Sequence, residues 1–200
     1  MKVLLFLFLI FLNSCISIYL NTNSQFLDLK GINDEIRLLN CETLKNFSQG
    51  YTFGAGFYKK DKGFIRLNFQ QNRFSSPNNL NKFYFQTWIL DGGANLLKSK
   101  IFGFYPIVGI GGSFQELNLD EVGKKNYSNY IYPVIKAGIE FNVNLTRERP
   151  GIFTFYLGVD GIYTSGYFLD SPDLTDFIIS NPLSGFNIFF GISMGYSTED

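Results

Sequence analysis

Between residues 101 and 143 the chain alternates its side chains with a period of two. Phe102, Phe104, Val108, Ile110 and Phe114 fall on one face; Gly103, Tyr105, Gly109, Gly111 and Ser113 fall on the other. After a polar stretch, Ile131, Ile135, Ala137, Ile139, Phe141 and Val143 oppose Tyr132, Lys136, Gly138, Glu140 and Asn142. Such a period belongs to strands, whose successive side chains point to opposite faces. One face is continuously apolar, and the other mixes glycine with polar groups. This pattern suits a strand with lipid on one side and a narrow, side-chain-filled barrel on the other.

The same rule runs through much of the chain. Tyr51, Phe53, Ala55 and Phe57 alternate with Thr52, Gly54, Gly56 and Tyr58, and Ile65, Leu67 and Phe69 alternate with Arg66, Asn68 and Gln70. Further strands are read at Phe83–Ile89, Phe153–Tyr163 and Phe186–Tyr196, which makes seven. Most approach the length that a tilted strand needs to cross a bilayer. The 23 Phe and 12 Tyr favour strands, and 19 of the 20 glycines lie from Gly50 onward. The links at 59–63, 96–100 and 144–150 are short, whereas those at 75–81, 117–128 and 165–184 are polar and generally longer. Membrane barrels place short turns on the periplasmic side and long loops outside. An even strand number then requires an eighth strand before Gly50, with Phe177-Ile178-Ile179 as its rival.

Ahead of the barrel region, residues 1–24 read as an export signal. Lys2 precedes ten consecutive apolar residues, Val3 to Leu12, too few for a spanning helix. Leu12-Asn13-Ser14-Cys15 resembles a lipoprotein processing site, with cleavage before Cys15 and lipid on its sulfur. The alternative is an ordinary signal cut near Ser24. Residues 25–49 hold one glycine before Gly50 and read either as a short amphipathic helix around Ile36, Leu39 and Leu44 or as the first strand. Residues 50–197 form the barrel domain. Cys41 would be left alone and is read as an incidental thiol.

The strand Phe104-Tyr105-Pro106-Ile107-Val108-Gly109-Ile110-Gly111-Gly112 resembles the Tyr-Pro-Tyr-Val-Gly-x-Gly strand of small bacterial outer-membrane β-barrel proteins of the eight-stranded type. Ala137-Gly138-Ile139-Glu140-Phe141 is similar to that family's Gly-Ala-Gly-Val-Glu-Tyr strand. The resemblance covers about residues 50–197 and implies an antiparallel up-and-down transmembrane barrel in the bacterial outer membrane. The family ends on a terminal aromatic, whereas here Tyr196 is followed by Ser-Thr-Glu-Asp.

Four charges, Arg66, Lys136, Glu140 and Asp160, fall on the glycine-bearing face. An eight-stranded barrel is only wide enough to be filled by side chains, so these charges are expected to pair inside as structural plugs. The rival reading makes them a narrow ion path or ligand site. Tyr58, Tyr84, Tyr130, Tyr132 and Tyr163 lie near strand ends and read as a membrane girdle.

With no histidine in the chain, a Ser-His-Asp triad and His-ligated metals are excluded. Two cysteines form no zinc cluster, and Asp170, Asp173 and Asp176 read as an ordinary acidic loop. The formal net charge is zero, so no basic field exists to attract nucleic acid. No enzyme activity, metal or cofactor is expected. The expected partners are outer-membrane lipid and an extracellular ligand met by loops 117–128 and 165–184. Three functions follow: a structural or adhesive surface protein, a narrow pore, or a lipid-anchored soluble lipocalin-like barrel holding an apolar ligand. The last would reverse the faces, apolar in and charged out.

Overall fold

The computed structural model describes residues 15–59, 62–97, 99, 101–123, 125–146, 151–164, 167–171, 174–179 and 183–196. Ten strands are present in chain order: β1 (Cys15–Leu27), β2 (Phe47–Lys59), β3 (Gly63–Ser75), β4 (Asn81–Ala94), β5 (Phe102–Leu119), β6 (Lys125–Asn144), β7 (Gly151–Thr164), β8 (Tyr167–Ser171), β9 (Leu174–Ile179) and β10 (Leu183–Tyr196). One helix, α1 (Lys30–Leu38), lies between β1 and β2. Eight strands make the wall in the order β1-β2-β3-β4-β5-β6-β7-β10, every pair antiparallel. The wall closes where β1 pairs with β10, from Ile16↔Tyr196 to Leu27↔Gly185. Closure leaves these wall strands no open edge.

Outside, the wall is apolar. Ile18, Phe53, Leu67, Leu90, Val108, Ile110, Ile135, Leu157 and Phe190 are among the large residues turned outward and exposed. On β10, outward residues run from Phe186 to Tyr196. At roughly 3.3 Å per residue and a tilt of about 40°, that stretch rises about 25 Å, the height of a lipid-facing band. A water-soluble protein rarely exposes so large an apolar surface. No described helix is long and apolar enough to cross a membrane.

Both described ends of the wall, Cys15 and Tyr196, lie at one rim with the connections 60–62, 95–101 and 145–150. The opposite rim carries the 28–46 segment, the 76–80 turn, the 120–124 turn and the β7–β10 connection. The β5–β6 link is a single 3₁₀ turn, Asp120–Val122, closed by Gly123 in the left-handed region at φ 86°.

The eighth wall strand lies before Gly50, as the even count requires: it is β1, which begins at Cys15 and ends just inside the 25–49 segment. Its Ile16, Ile18 and Leu20 face outward and are exposed, like the apolar residues of the other wall strands. Other expectations are corrected. Phe177-Ile178-Ile179 belongs to β9, which forms a hairpin with β8, and β8 meets the wall through Ser128↔Asp170. The loop expected at 117–128 is mostly strand, because β5 and β6 pair as far as Leu119↔Lys125. Tyr58 is buried inside the barrel, and Tyr132 packs against an interior cluster; neither belongs to a girdle. Tyr163 does face outward, while the side chain of Tyr130 lies outside the described part.

Candidate functional site

From the terminal rim upward, the interior is filled in layers. The first is aromatic: Tyr19, Tyr58, Phe64, Tyr105, Ile107, Tyr156 and Phe189. The Tyr58 hydroxyl lies 3.1 Å from that of Tyr105 and donates to Asn144 Oδ1 at 3.1 Å. Above these rings sits a layer of charges. Arg66 Nε donates to Asp91 Oδ1 at 2.8 Å, and Arg66 Nη2 lies 2.8 Å from Glu140 Oε2. Lys136 Nζ bridges Asp91 Oδ2 at 2.8 Å and Asp160 Oδ2 at 3.1 Å. The guanidinium of Arg66 also rests 4.4 Å from the centre of the Phe64 ring and 5.1 Å from that of Tyr19. All five charged side chains are buried. Ionised groups persist in such a place only when paired and hydrogen-bonded.

The structure thus brings Arg66, Lys136, Glu140 and Asp160 into one layer. It adds Asp91, which lies just beyond the strand read at Phe83–Ile89 and was not among the expected interior charges. Asp91 sits at the centre, accepting from Arg66, Lys136 and Asn68 Nδ2, the last at 2.9 Å. Its signal was its place: two residues beyond Ile89, on the inward parity of β4.

Glycines make room for this layer. Each of the five charged residues has a glycine beside it on a neighbouring strand: Gly56 with Arg66, Gly109 with both Asp91 and Lys136, Gly158 with Glu140, and Gly138 with Asp160. A Cβ at Gly109 would lie 2.7 Å from Asp91 Cβ, and one at Gly138 would lie 2.6 Å from Asp160 Cβ. Such contacts are too short to hold without moving the strands.

Above the charges comes a layer of amides and hydroxyls. Asn187 donates to Asp160 Oδ1 at 2.9 Å, Gln70 donates to Asn72, Asn72 to Asn23, and Asn23 to Thr52. A cavity lined by Asn21, Thr87, Lys136 and Asp160 among others has a volume of about 10 Å³, enough for one water at most. Through these layers the barrel has no channel.

The far mouth is capped by α1. Ile32 and Ile36 insert among Phe74, Phe83, Phe85, Leu117, Leu119, Val134 and Leu183. This explains why apolar Phe83, Phe85 and Ile89 point inward on β4: they receive the helix. The helix stops where Asn40 turns left-handed at φ 58°, with Cys41 N donating to Ile36 O and Asn40 N to Arg37 O. That pair of bonds is the Schellman arrangement, and Cys41 and Ile36 pack in the same cluster beneath it. Asn33 then fixes the returning chain, giving a hydrogen bond to Leu44 O and taking one from Leu44 N.

A polar latch at the rim holds the cap. Glu121 Oε2 accepts from Glu42 N at 2.7 Å and from Asn81 Nδ2 at 2.8 Å, while Asn78 Nδ2 donates to Oε1. The backbone N–H of Glu42, with help from the Asn81 and Asn78 amides, holds the Glu121 carboxyl below its usual range. Glu42 returns the link by accepting from Asn78 N at 2.9 Å.

These faces decide between architectures. A lipocalin-like calyx needs apolar residues inside and charges outside, the reverse of what is seen. Cys15 opens β1, and its side chain lies outside the described part.

No family model and no curated protein matches the chain. Among solved structures, Neisserial surface protein A is similar over 90% of this chain and 97% of its own, with a TM-score of 0.63 at 6% identity. The attachment invasion locus protein Ail of Yersinia pestis, in complex with the heparin analogue sucrose octasulfate, covers 92% of this chain and 98% of its own, with a TM-score of 0.47 at 13% identity. The outer membrane protein OprG from Pseudomonas aeruginosa covers 94% and 97%, with a TM-score of 0.46 at 12% identity. At such identities the likeness is one of fold, and the fold is that of a small eight-stranded outer-membrane β-barrel.

Proposed function

We propose that this protein is a non-enzymatic outer-membrane barrel that works through its loop-side rim, as a structural or adhesive surface protein. One observation carries the reading: the interior is filled and capped, while the long connections gather at one rim. A filled lumen leaves no path for solute, and the 28–46 and 165–182 connections are what the molecule offers to its surroundings. That rim faces outward when the terminal rim is periplasmic, the usual arrangement for such barrels. The partners are then membrane lipid along the wall and an extracellular ligand at the rim.

Processing before Cys15, with lipid on that residue, belongs to the same proposal. β1 supports it, since a cut near Ser24 would remove most of a strand that pairs on both sides. Without β1, β2 and β10 would each expose an unpaired edge.

Two epitope tags test the orientation on intact bacteria, one within 120–124 and one within 147–150. The first should be labelled from outside and the second only after permeabilisation. In the same cells, replacing residues 165–182 with a short turn should abolish binding to host surfaces while leaving the barrel folded. Labelling at 147–150 on intact cells, or steady conductance in planar bilayers, would refute the reading. The mass of the mature protein decides the processing point.

A further inference from the structure

The charge layer does not balance. Arg66 and Lys136 supply two positive charges, while Asp91, Glu140 and Asp160 supply three negative ones, all buried. The three carboxylates are unequally served. Asp91 takes hydrogen bonds from Arg66, Asn68 and Lys136. Asp160 pairs with Lys136 and takes a hydrogen bond from Asn187. Glu140 has 0% exposure and one cationic neighbour, Arg66 Nη2. Neither of its oxygens accepts a well-formed hydrogen bond, and Oε1 has no partner at all.

Its surroundings offer little else. Tyr105 stands across from it on β5 and Gly158 across on β7. Tyr19 of β1, Tyr58 of β2, Phe64 of β3, Tyr156 of β7 and Phe189 of β10 make up the aromatic floor beneath. The remaining charged groups of the layer are Asp91 of β4, Lys136 on its own strand and Asp160 of β7. The cavity of about 10 Å³ is not lined by Glu140, so a hydrated metal ion has no place beside it. A proton needs no room.

We propose that Glu140 is a buried proton-binding site, held in the folded barrel as a neutral carboxylic acid, which leaves the layer with two charges of each sign. The proton is taken up from water when the chain folds, because an unfolded glutamate is ionised above about pH 4.3. The folded state then binds one proton more than the unfolded state, and stability falls as pH rises above that value. The expected slope is about tenfold in the unfolding equilibrium constant per pH unit, until the proton is lost.

The whole mature barrel, refolded into lipid vesicles, provides the test. Infrared spectra at neutral pH should show the C=O stretch of a protonated carboxylic acid, absent from Glu140→Gln. This isosteric variant should fold to the same heat-modifiable form, match or exceed wild type in stability above neutral pH, and lose the pH slope. Asp91→Asn, by contrast, should be strongly destabilised. The proposal is overturned if wild type lacks the acid band, or if Glu140→Gln is as damaged as Asp91→Asn. It is equally overturned if sodium or potassium, exchanged at fixed ionic strength, stabilises wild type, since a bound metal ion would then balance the charge. Should Glu140→Gln fail to fold, the wild-type spectrum and pH slope decide alone.

Discussion

The charge layer and the loop-side cap stop the same barrel, but with different materials. In the layer, polar side chains on fixed wall strands meet one another away from water, some from adjacent strands and some from across the lumen. In the cap, an amphipathic helix delivered by a connecting segment turns Ile32 and Ile36 into the mouth and is fastened by polar contacts at the rim. The layer is part of the wall's own register, and Asp91 at its centre serves both cations, so losing it unbalances buried charge. The cap is an added piece with its own hydrogen bonds, and it can loosen while the wall stays closed. One region therefore governs whether the barrel forms, and the other governs what its outer end presents.

The sharpest way to break this contrast is at Asp91. Replacing it with alanine removes the carboxylate that Arg66 and Lys136 share, leaving Glu140 beside the one and Asp160 beside the other, at a cost of about 3–5 kcal/mol for a broken buried pair. The expected outcome is loss of the heat-modifiable band and a large drop in the urea midpoint; near-normal stability would mean that the layer is not a dry network. A smaller and more local effect is expected at Ile36→Ala. Removing that buried side chain from the cap costs roughly 2–5 kcal/mol locally. Limited proteolysis should then cut within 28–46 while the wall remains resistant, and simultaneous collapse of both would erase the distinction drawn here.

The mildest effect concerns acid. Glu121 is held below its ordinary range by hydrogen bonds to its carboxylate. Its contribution is therefore complete above the unfolded value of about 4.3 and fades as pH falls through the lower folded value. Hydrogen exchange of the Glu42 amide should quicken relative to wall amides as the solution is acidified through that window. Glu121→Gln should show the fast rate at every pH; if both proteins respond alike, the latch lies elsewhere.

Much of the wall can be read from the chain because lipid on one side enforces alternation. Outward Phe102, Phe104, Val108 and Ile110 are apolar for that single reason, and apart from Ile107 their inward neighbours Gly103, Tyr105 and Gly109 are glycine or carry a polar group. The inward charges Arg66, Lys136, Glu140 and Asp160 stand out by the same parity. Reading fails where a second influence acts on a strand. On β4, Phe83, Phe85 and Ile89 are apolar and yet inward, because α1 packs on them, so the strand shows no clean polar face. Asp91 was lost with it, because the strand read there stopped at Ile89. On β1, the outward Ile16 and Ile18 lie inside the stretch 1–24 that reads as an export signal. Near the far end of β5, Gln115 turns inward while Glu116 and Asn118 turn outward, so polar residues occupy both faces and the stretch resembles a loop although it is paired. The tyrosines mislead for a related reason: Tyr58 reaches partners across the lumen, which spacing along one strand does not reveal.

The seam between β1 and β10 sets the order of events during assembly. Its partners, Ile16 with Tyr196 through Leu27 with Gly185, come from opposite ends of the chain, whereas the other wall pairs join neighbours in a meander. Contacts between distant segments form slowly, because the chain between them must first be ordered. The wall is therefore an open sheet with two raw edges until its last hydrogen bonds form, and each edge can bind any other extended chain it meets. A protein built this way is exposed to misassembly for as long as its two ends stay apart. Whatever brings Cys15 and Tyr196 to the same rim early, whether a lipid anchor on one or an insertion factor holding the other, shortens that exposure.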